Sequence, residues 1–125
     1  MDKEKFDKGL ETRKAVLGDA YVDNSLSKAT DFTMAFQEYV TTYCWNDCWN
    51  REGLDRKTRS IINLAMLSAL NRPNEFKVHC RGAVNNGVTK DEMREIFLQI
   101  GTYCGVPAAL EAFKIAQEVF DEMGV

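Results

Sequence analysis

A chain of 125 residues, 45% of them hydrophobic and 28% charged, has the make-up of one globular domain, residues 1–125, long enough to bury a core. Its net charge of −3 and pI of about 5.2 come without any run of lysine or arginine, which excludes a basic footprint for nucleic acid and a basic amphipathic face for anionic lipid. The N-terminal stretch MDKEKFDKGLETRK has no apolar signal core, and no apolar run approaches the roughly 20 residues of a membrane span, so a cytoplasmic protein is expected.

In that reducing compartment Cys44, Cys48, Cys80 and Cys104 are expected to stay unpaired. There is no C-x-x-C, and His79 is the sole histidine, so no zinc ligand set is expected.

Strand-like alternation is almost absent. The first helix is predicted over about Asp2–Leu17, with Phe6, Leu10, Arg13 and Leu17 on one face and Gly18 as its C-cap. Asp19–Asn24 reads as a linker. A second helix from about Ser25 carries Ala29, Phe32, Thr33, Phe36, Val40 and Tyr43 at helical spacing, runs through Cys44–Trp49 and breaks at Asn50–Gly53. Asp55 can cap a third helix, Arg56 to about Leu70. Ile61–Leu70 is apolar around nearly its whole circumference, which predicts a segment central to the domain or held between subunits. Pro73 suits a first helical turn and opens a fourth helix to Asn85, ended by Asn86-Gly87. Thr89-Lys90-Asp91-Glu92 is a capping box, followed by Met93, Ile96, Phe97, Ile100 and Cys104 as an apolar stripe. Gly105 breaks that helix. Pro107 opens the last one, with Leu110, Phe113, Ala116, Phe120 and Met123 expected inward. The fold class is therefore all-α, with about six helices.

His79 is the side chain whose ordinary pKa lies nearest neutrality, which suits proton transfer; a helix histidine also serves simply as a hydrogen-bonded core or interface group. Arg59 and Arg81 can grip carboxylates through their planar forks, or sit in surface ion pairs. Trp45 and Trp49, four residues apart, share a face as core, interface or the wall of a binding site. Tyr103, beside a glycine break, can donate a hydrogen bond or merely pack. Cys44 and Cys48 lack the spacing that lowers a thiol's pKa and read better as small hydrophobes.

The order of short segments says more. Gly53-Leu54-Asp55-Arg56-Lys57-Thr58-Arg59 is followed by the apolar helix, Asn71-Arg72-Pro73, His79-Cys80-Arg81-Gly82-Ala83, Asn85-Asn86-Gly87-Val88-Thr89 and Tyr103-Cys104-Gly105-Val106-Pro107-Ala108-Ala109. This succession resembles the carboxymuconolactone decarboxylase family of the alkylhydroperoxidase D-like superfamily. The likeness extends upstream through Trp45 and Trp49 and more weakly to Arg13-Lys14-Ala15-Val16-Leu17-Gly18. The peroxidase branch of that superfamily carries a glutamate and a C-x-x-C pair before its histidine. Counted back from His79, those positions hold Ser60, Arg72 and Glu75, which disfavours that branch.

The resemblance implies a cofactor-independent decarboxylase that converts 4-carboxymuconolactone to 3-oxoadipate enol-lactone and CO2, or a paralogue acting on a related small carboxylate or lactone. Electrons left by CO2 can spread to the lactone carbonyl, so no cofactor or metal is implied. The tasks are to anchor the acetate arm (Arg81 or Arg59), to return a proton (His79), to stabilise the oxyanion (Tyr103 or a backbone N–H), and to wall the ring (Trp45). The resemblance also implies a homo-oligomer, trimer or hexamer. The alternative is a thiol-dependent peroxidase or reductase using an unusual cysteine set.

Overall fold

Asp2 accepts a hydrogen bond from the Lys5 backbone N–H at 3.2 Å and so caps the first helix, α1, Lys3–Leu17. The computed structural model describes residues 1–125, all of its regular structure helical. The chain divides at Asp55 into two compact units, Met1–Asp55 and Arg56–Val125.

In the N-terminal unit Gly18, at φ +92°, ends α1 and at once begins α2, Asp19–Ser27. The sequence reading expected a linker here. The helix forms because Val22 is fully buried and Lys14 pairs with Asp23 at 3.0 Å, tertiary anchors that local composition does not advertise. Thr30 and Thr33 exchange side chain-to-backbone hydrogen bonds, which interrupts the expected single helix. The chain resumes as α3, Met34–Tyr39, and widens into a nine-residue π-helix, Val40–Cys48.

The expected apolar stripe through Phe32, Phe36 and Tyr43 does not pack within the chain: Phe32 is 92% exposed, and Phe36 and Tyr43 also face outward. Thr41 and Trp45 are buried instead, and Trp45 stacks on buried Trp49 with ring centroids 4.8 Å apart.

Helix α1 packs on the π-helix through Gly9. A Cβ at Gly9 would lie 2.0 Å from the Thr41 carbonyl oxygen and 3.1 Å from the Asn46 nitrogen, so backbone meets backbone here. The buried face of α1 is Gly9, Thr12, Arg13, Val16 and Leu17, rotated from the stripe expected through Phe6 and Leu10. The Thr12 hydroxyl donates to Asn50 Oδ1 at 2.6 Å and ties the start of this unit to its end.

The C-terminal unit has four helices: α4 Arg56–Ala69, α5 Pro73–Asn85, α6 Lys90–Cys104 and α7 Val106–Met123. Seven α-helices and a π-helix thus replace the six expected, the difference lying in residues 19–48. The capping box at the head of α6 is complete: the Glu92 N–H donates to Thr89 Oγ1 and the Thr89 N–H to Glu92 Oε1. Helices α4 and α5 pack together, as do α6 and α7, with α7 also against α5. Their core holds Leu64, Phe76, Cys80, Met93, Phe97 and Val119. Phe97 lies between Phe76 at 5.8 Å and Phe113 at 5.2 Å, the latter edge-to-face.

Two expected stripes shift. On α7 the buried residues are Ala112, Ile115, Ala116, Val119 and Phe120, so Ala116 and Phe120 hold but Leu110 points out. On α4 only Ser60 and Leu64 are fully buried; Met66 is 48% and Leu70 68% exposed. The expectation that Ile61–Leu70 ranks among the most buried segments fails within one chain. A helix apolar all round can turn only one face into a four-helix core.

Gly9→Ala is expected to destabilise the protein by about 3 kcal/mol or more, because a backbone carbonyl cannot step aside as a flexible side chain can. Urea denaturation midpoints at unchanged slope check it.

Candidate active site

Helices α4 and α5 bring a short polar cluster together. His79, half-buried, lies with its Nδ1 3.3 Å from the Asn63 side-chain nitrogen. Arg59 stands one helical turn before Asn63, and Glu75 one turn before His79. Asn63 was missed by the sequence reading. Its signal was a lone amide in the otherwise apolar run Ile61-Ile62-Asn63-Leu64.

Burial pushes the His79 imidazole down to about 4, against a smaller upward pull from Glu75. The ring is therefore neutral near pH 7. With the Asn63 amide nitrogen as donor, Nδ1 is the acceptor and the ring proton stands on Nε2. The site presents a neutral imidazole rather than an imidazolium.

The other expected site residues are distributed differently. Arg81, two residues on and across α5, pairs with Glu122 of α7 beside Lys77, which reaches Glu122 at 3.0 Å and Glu118 at 3.6 Å. It is not joined to His79. Tyr103 is 80% exposed at the end of α6, on a broad apolar depression formed with Ile61, Ala65, Ile96 and Ile100. Trp45 belongs to the N-terminal unit, buried against Trp49. A separate cavity of about 290 Å³ lies at the C-terminal end of α4 and the N-terminal ends of α5 and α7, lined by Arg72, Glu111 and Phe76 among others; His79 is not part of its wall.

All four cysteines are free thiols. Cys80 is sealed in the core and burial pushes it up to about 12; burial also raises Cys44, with Cys48 adding to the effect. Cys48 and Cys104 are exposed, unlike the buried small hydrophobes expected. Ser60, where the peroxidase branch would carry its glutamate, is fully buried and accepts a hydrogen bond from Asn86 at 2.9 Å.

The family model for carboxymuconolactone decarboxylases matches residues 35–118, which include the His79–Asn63 cluster. The chain belongs to the carboxymuconolactone decarboxylase family. It is similar to 4-carboxymuconolactone decarboxylase of Acinetobacter baylyi, 42% identical over 99% of this chain and 92% of the relative. It is 44% identical to nitrosuccinic acid decarboxylase of Metarhizium robertsii over 94% of this chain and 82% of that protein. A third relative, 4-carboxymuconolactone decarboxylase of Pseudomonas putida, is 46% identical over 37% of this chain and 96% of its own length. The chain is a carboxy-lyase of this family, and its substrate class is a small carboxylate.

The low His79 value sets a pH dependence. Unfolded, the imidazole takes a proton as pH falls through about 6.5; folded, it does so only near 4. Stability from this residue is therefore lost as pH drops from about 6.5 toward 4, by at most about 3 kcal/mol, and is unaffected above that window. Denaturation of the wild type and His79→Gln across this range should show the difference between them shrinking toward acid pH.

Proposed function

We propose that this decarboxylase removes CO2 from 4-carboxymuconolactone to give 3-oxoadipate enol-lactone. The observation that carries the reading is 42% identity along nearly the whole chain to a protein of that activity. The site chemistry supports it. When CO2 leaves, the electron pair spreads through the ring double bond to the lactone carbonyl. The Nε2–H of neutral His79, held by Asn63, is suited to meet the developing oxyanion. A neutral donor serves better than an imidazolium here, since it leaves the anion free to take its proton at carbon. Where the sequence reading gave His79 the role of proton donor, the neutral ring favours oxyanion stabilisation, and the proton added at carbon comes from solvent water.

Of the two candidate anchors, Arg59 is favoured for the acetate arm, because it shares a stripe of α4 with Asn63, whereas Arg81 stands across α5 from His79 and points to α7. Tyr103 can act as an oxyanion donor only where water is excluded, which requires cover over its exposed ring. Trp45 acts first through packing on Trp49.

A second substrate has its own support in the Metarhizium relative. Nitrosuccinic acid, like carboxymuconolactone, carries two carboxylates and an oxygen-bearing group able to accept the electron pair. Assaying both compounds decides between them. The thiol-peroxidase alternative has little to work with. The two C-x-x-C positions hold Arg72 and Glu75, and burial raises the Cys44 and Cys80 thiols.

The working form is proposed to be a cytoplasmic homo-oligomer, a trimer or hexamer. No helix is long and apolar enough to cross a membrane, and Ile62 and Met66 of α4 are exposed, as is Leu70 just past its end. Sedimentation velocity at micromolar concentration should show the oligomer; a monomer alone would overturn this.

His79→Gln should fold and lose roughly 100- to 1,000-fold in turnover of carboxymuconolactone, since glutamine can keep the Asn63 bond but cannot also place a donor where Nε2 lies. Steady-state rates and melting temperature on one preparation check it; near-normal turnover in a folded variant removes His79 from the mechanism.

A further inference from the structure

Arg13 of α1 is a cation that the chemistry above does not use. It is 6% exposed, and it forms no ion pair. Its hydrogen bonds both run from Nη1, to Gln37 Oε1 at 2.9 Å and to Thr41 Oγ1 at 3.4 Å, neutral oxygens of α3 and the π-helix. Nε is buried without a partner. The acidic groups close enough to feel the charge are the Tyr21 phenol and the Cys44 thiol rather than a carboxylate, and burial keeps Cys44 protonated.

Burial lowers Arg13's own pKa, yet a guanidinium stays charged at any physiological pH. A buried charge with only neutral partners is costly, and an apolar side chain of similar length would carry no such cost. The geometry shows what is missing. Nη1 sits on the Cδ side of the guanidinium plane. Nε and Nη2 form the other edge, the two parallel N–H groups that grip a carboxylate side-on. That edge makes no hydrogen bond, while the opposite corner is clamped. The clamp is stiff: Gly9, one turn earlier, brings α1 into backbone contact with Thr41 itself. A fork held in place before its ligand arrives loses little freedom on binding.

We propose that Arg13, positioned by Gln37 and Thr41, is a carboxylate-binding residue of the N-terminal unit that takes one carboxylate of a small dicarboxylate. The choice of a dicarboxylate rests on the decarboxylation reading above; the binding does not require turnover. The ligand enters along Nη2, because Nε has no solvent contact of its own.

The test uses the full chain labelled with ¹⁵N and titrated with succinate, a dicarboxylate with no electron sink for CO2 loss. The Arg13 Nε–H resonance, assigned by its absence in Arg13→Lys, should move downfield and saturate, with a parallel rise in melting temperature. Arg13→Lys keeps the charge but not the fork, so its succinate affinity should fall roughly tenfold or more. Gln37→Leu, which loosens the clamp and leaves Arg13 in place, should weaken binding as well and serves if the lysine variant does not fold. An Arg13 signal that stays put during the titration overturns the proposal. So does equal affinity in a folded Arg13→Lys. A signal already downfield in the free protein that moves back on dilution would show a carboxylate of a second copy on the fork, and would overturn a small-molecule site. Failure to turn over carboxymuconolactone while the Arg13 signal still titrates would sink the substrate assignment and leave this site standing.

Discussion

Phe97 organises the C-terminal unit. Its ring meets Phe76 of α5 and Phe113 of α7, and α4 reaches the same core through Leu64. Once α5 turns Phe76 and Cys80 inward, their neighbours along the helix are committed to other directions. His79 is brought to Asn63 on α4, while Lys77 and Arg81 lean toward the carboxylates of α7. One packing requirement thus separates the polar residues of α5 into a half-buried cluster and an exposed ion-pair network. The network contributes little to stability, being open to water and salt.

The half-buried cluster, the proposed site of chemistry, holds neither a strong acid nor a strong base. Desolvation removes the proton from His79 near neutrality, and one amide settles which nitrogen keeps the remaining one. The result is a fixed dipole aimed from a helix. Decarboxylation onto a carbonyl or nitro group asks for that more than for a charged acid, because the substrate supplies its own electron sink.

The N-terminal unit is built on the opposite principle, close backbone contact. Gly9 lets α1 lie against the carbonyl of Thr41, and the π-helix accommodates it. This contact sets the register in which Thr12 meets Asn50 and Arg13 meets Gln37. It also turns Phe32, Phe36 and Tyr43 outward, so that the unit carries an aromatic surface as well as a buried cation.

The amino-acid sequence by itself determined what depends on neighbours along the chain. The capping box Thr89–Glu92, the start of α5 at Pro73 and its end at Asn85, and the all-helical class are local matters of capping, ring geometry and hydrophobic period. The ordered run of segments around His79 was enough to mark the family. The tertiary structure decided the rest. A period of 3.6 shows that a stripe exists but not which of several apolar faces meets the core, so the phases of α1, α4 and α7 had to come from packing. Asp19–Ser27 became helical because Val22 is buried and Asp23 pairs with Lys14 of α1, and no local rule reports that. The neutrality of His79, the tautomer set by Asn63, the capture of Arg81 by Glu122 and the open fork of Arg13 all join residues far apart in the chain. Burial and electrostatic partnership are properties of the folded neighbourhood, and sequence spacing does not carry them.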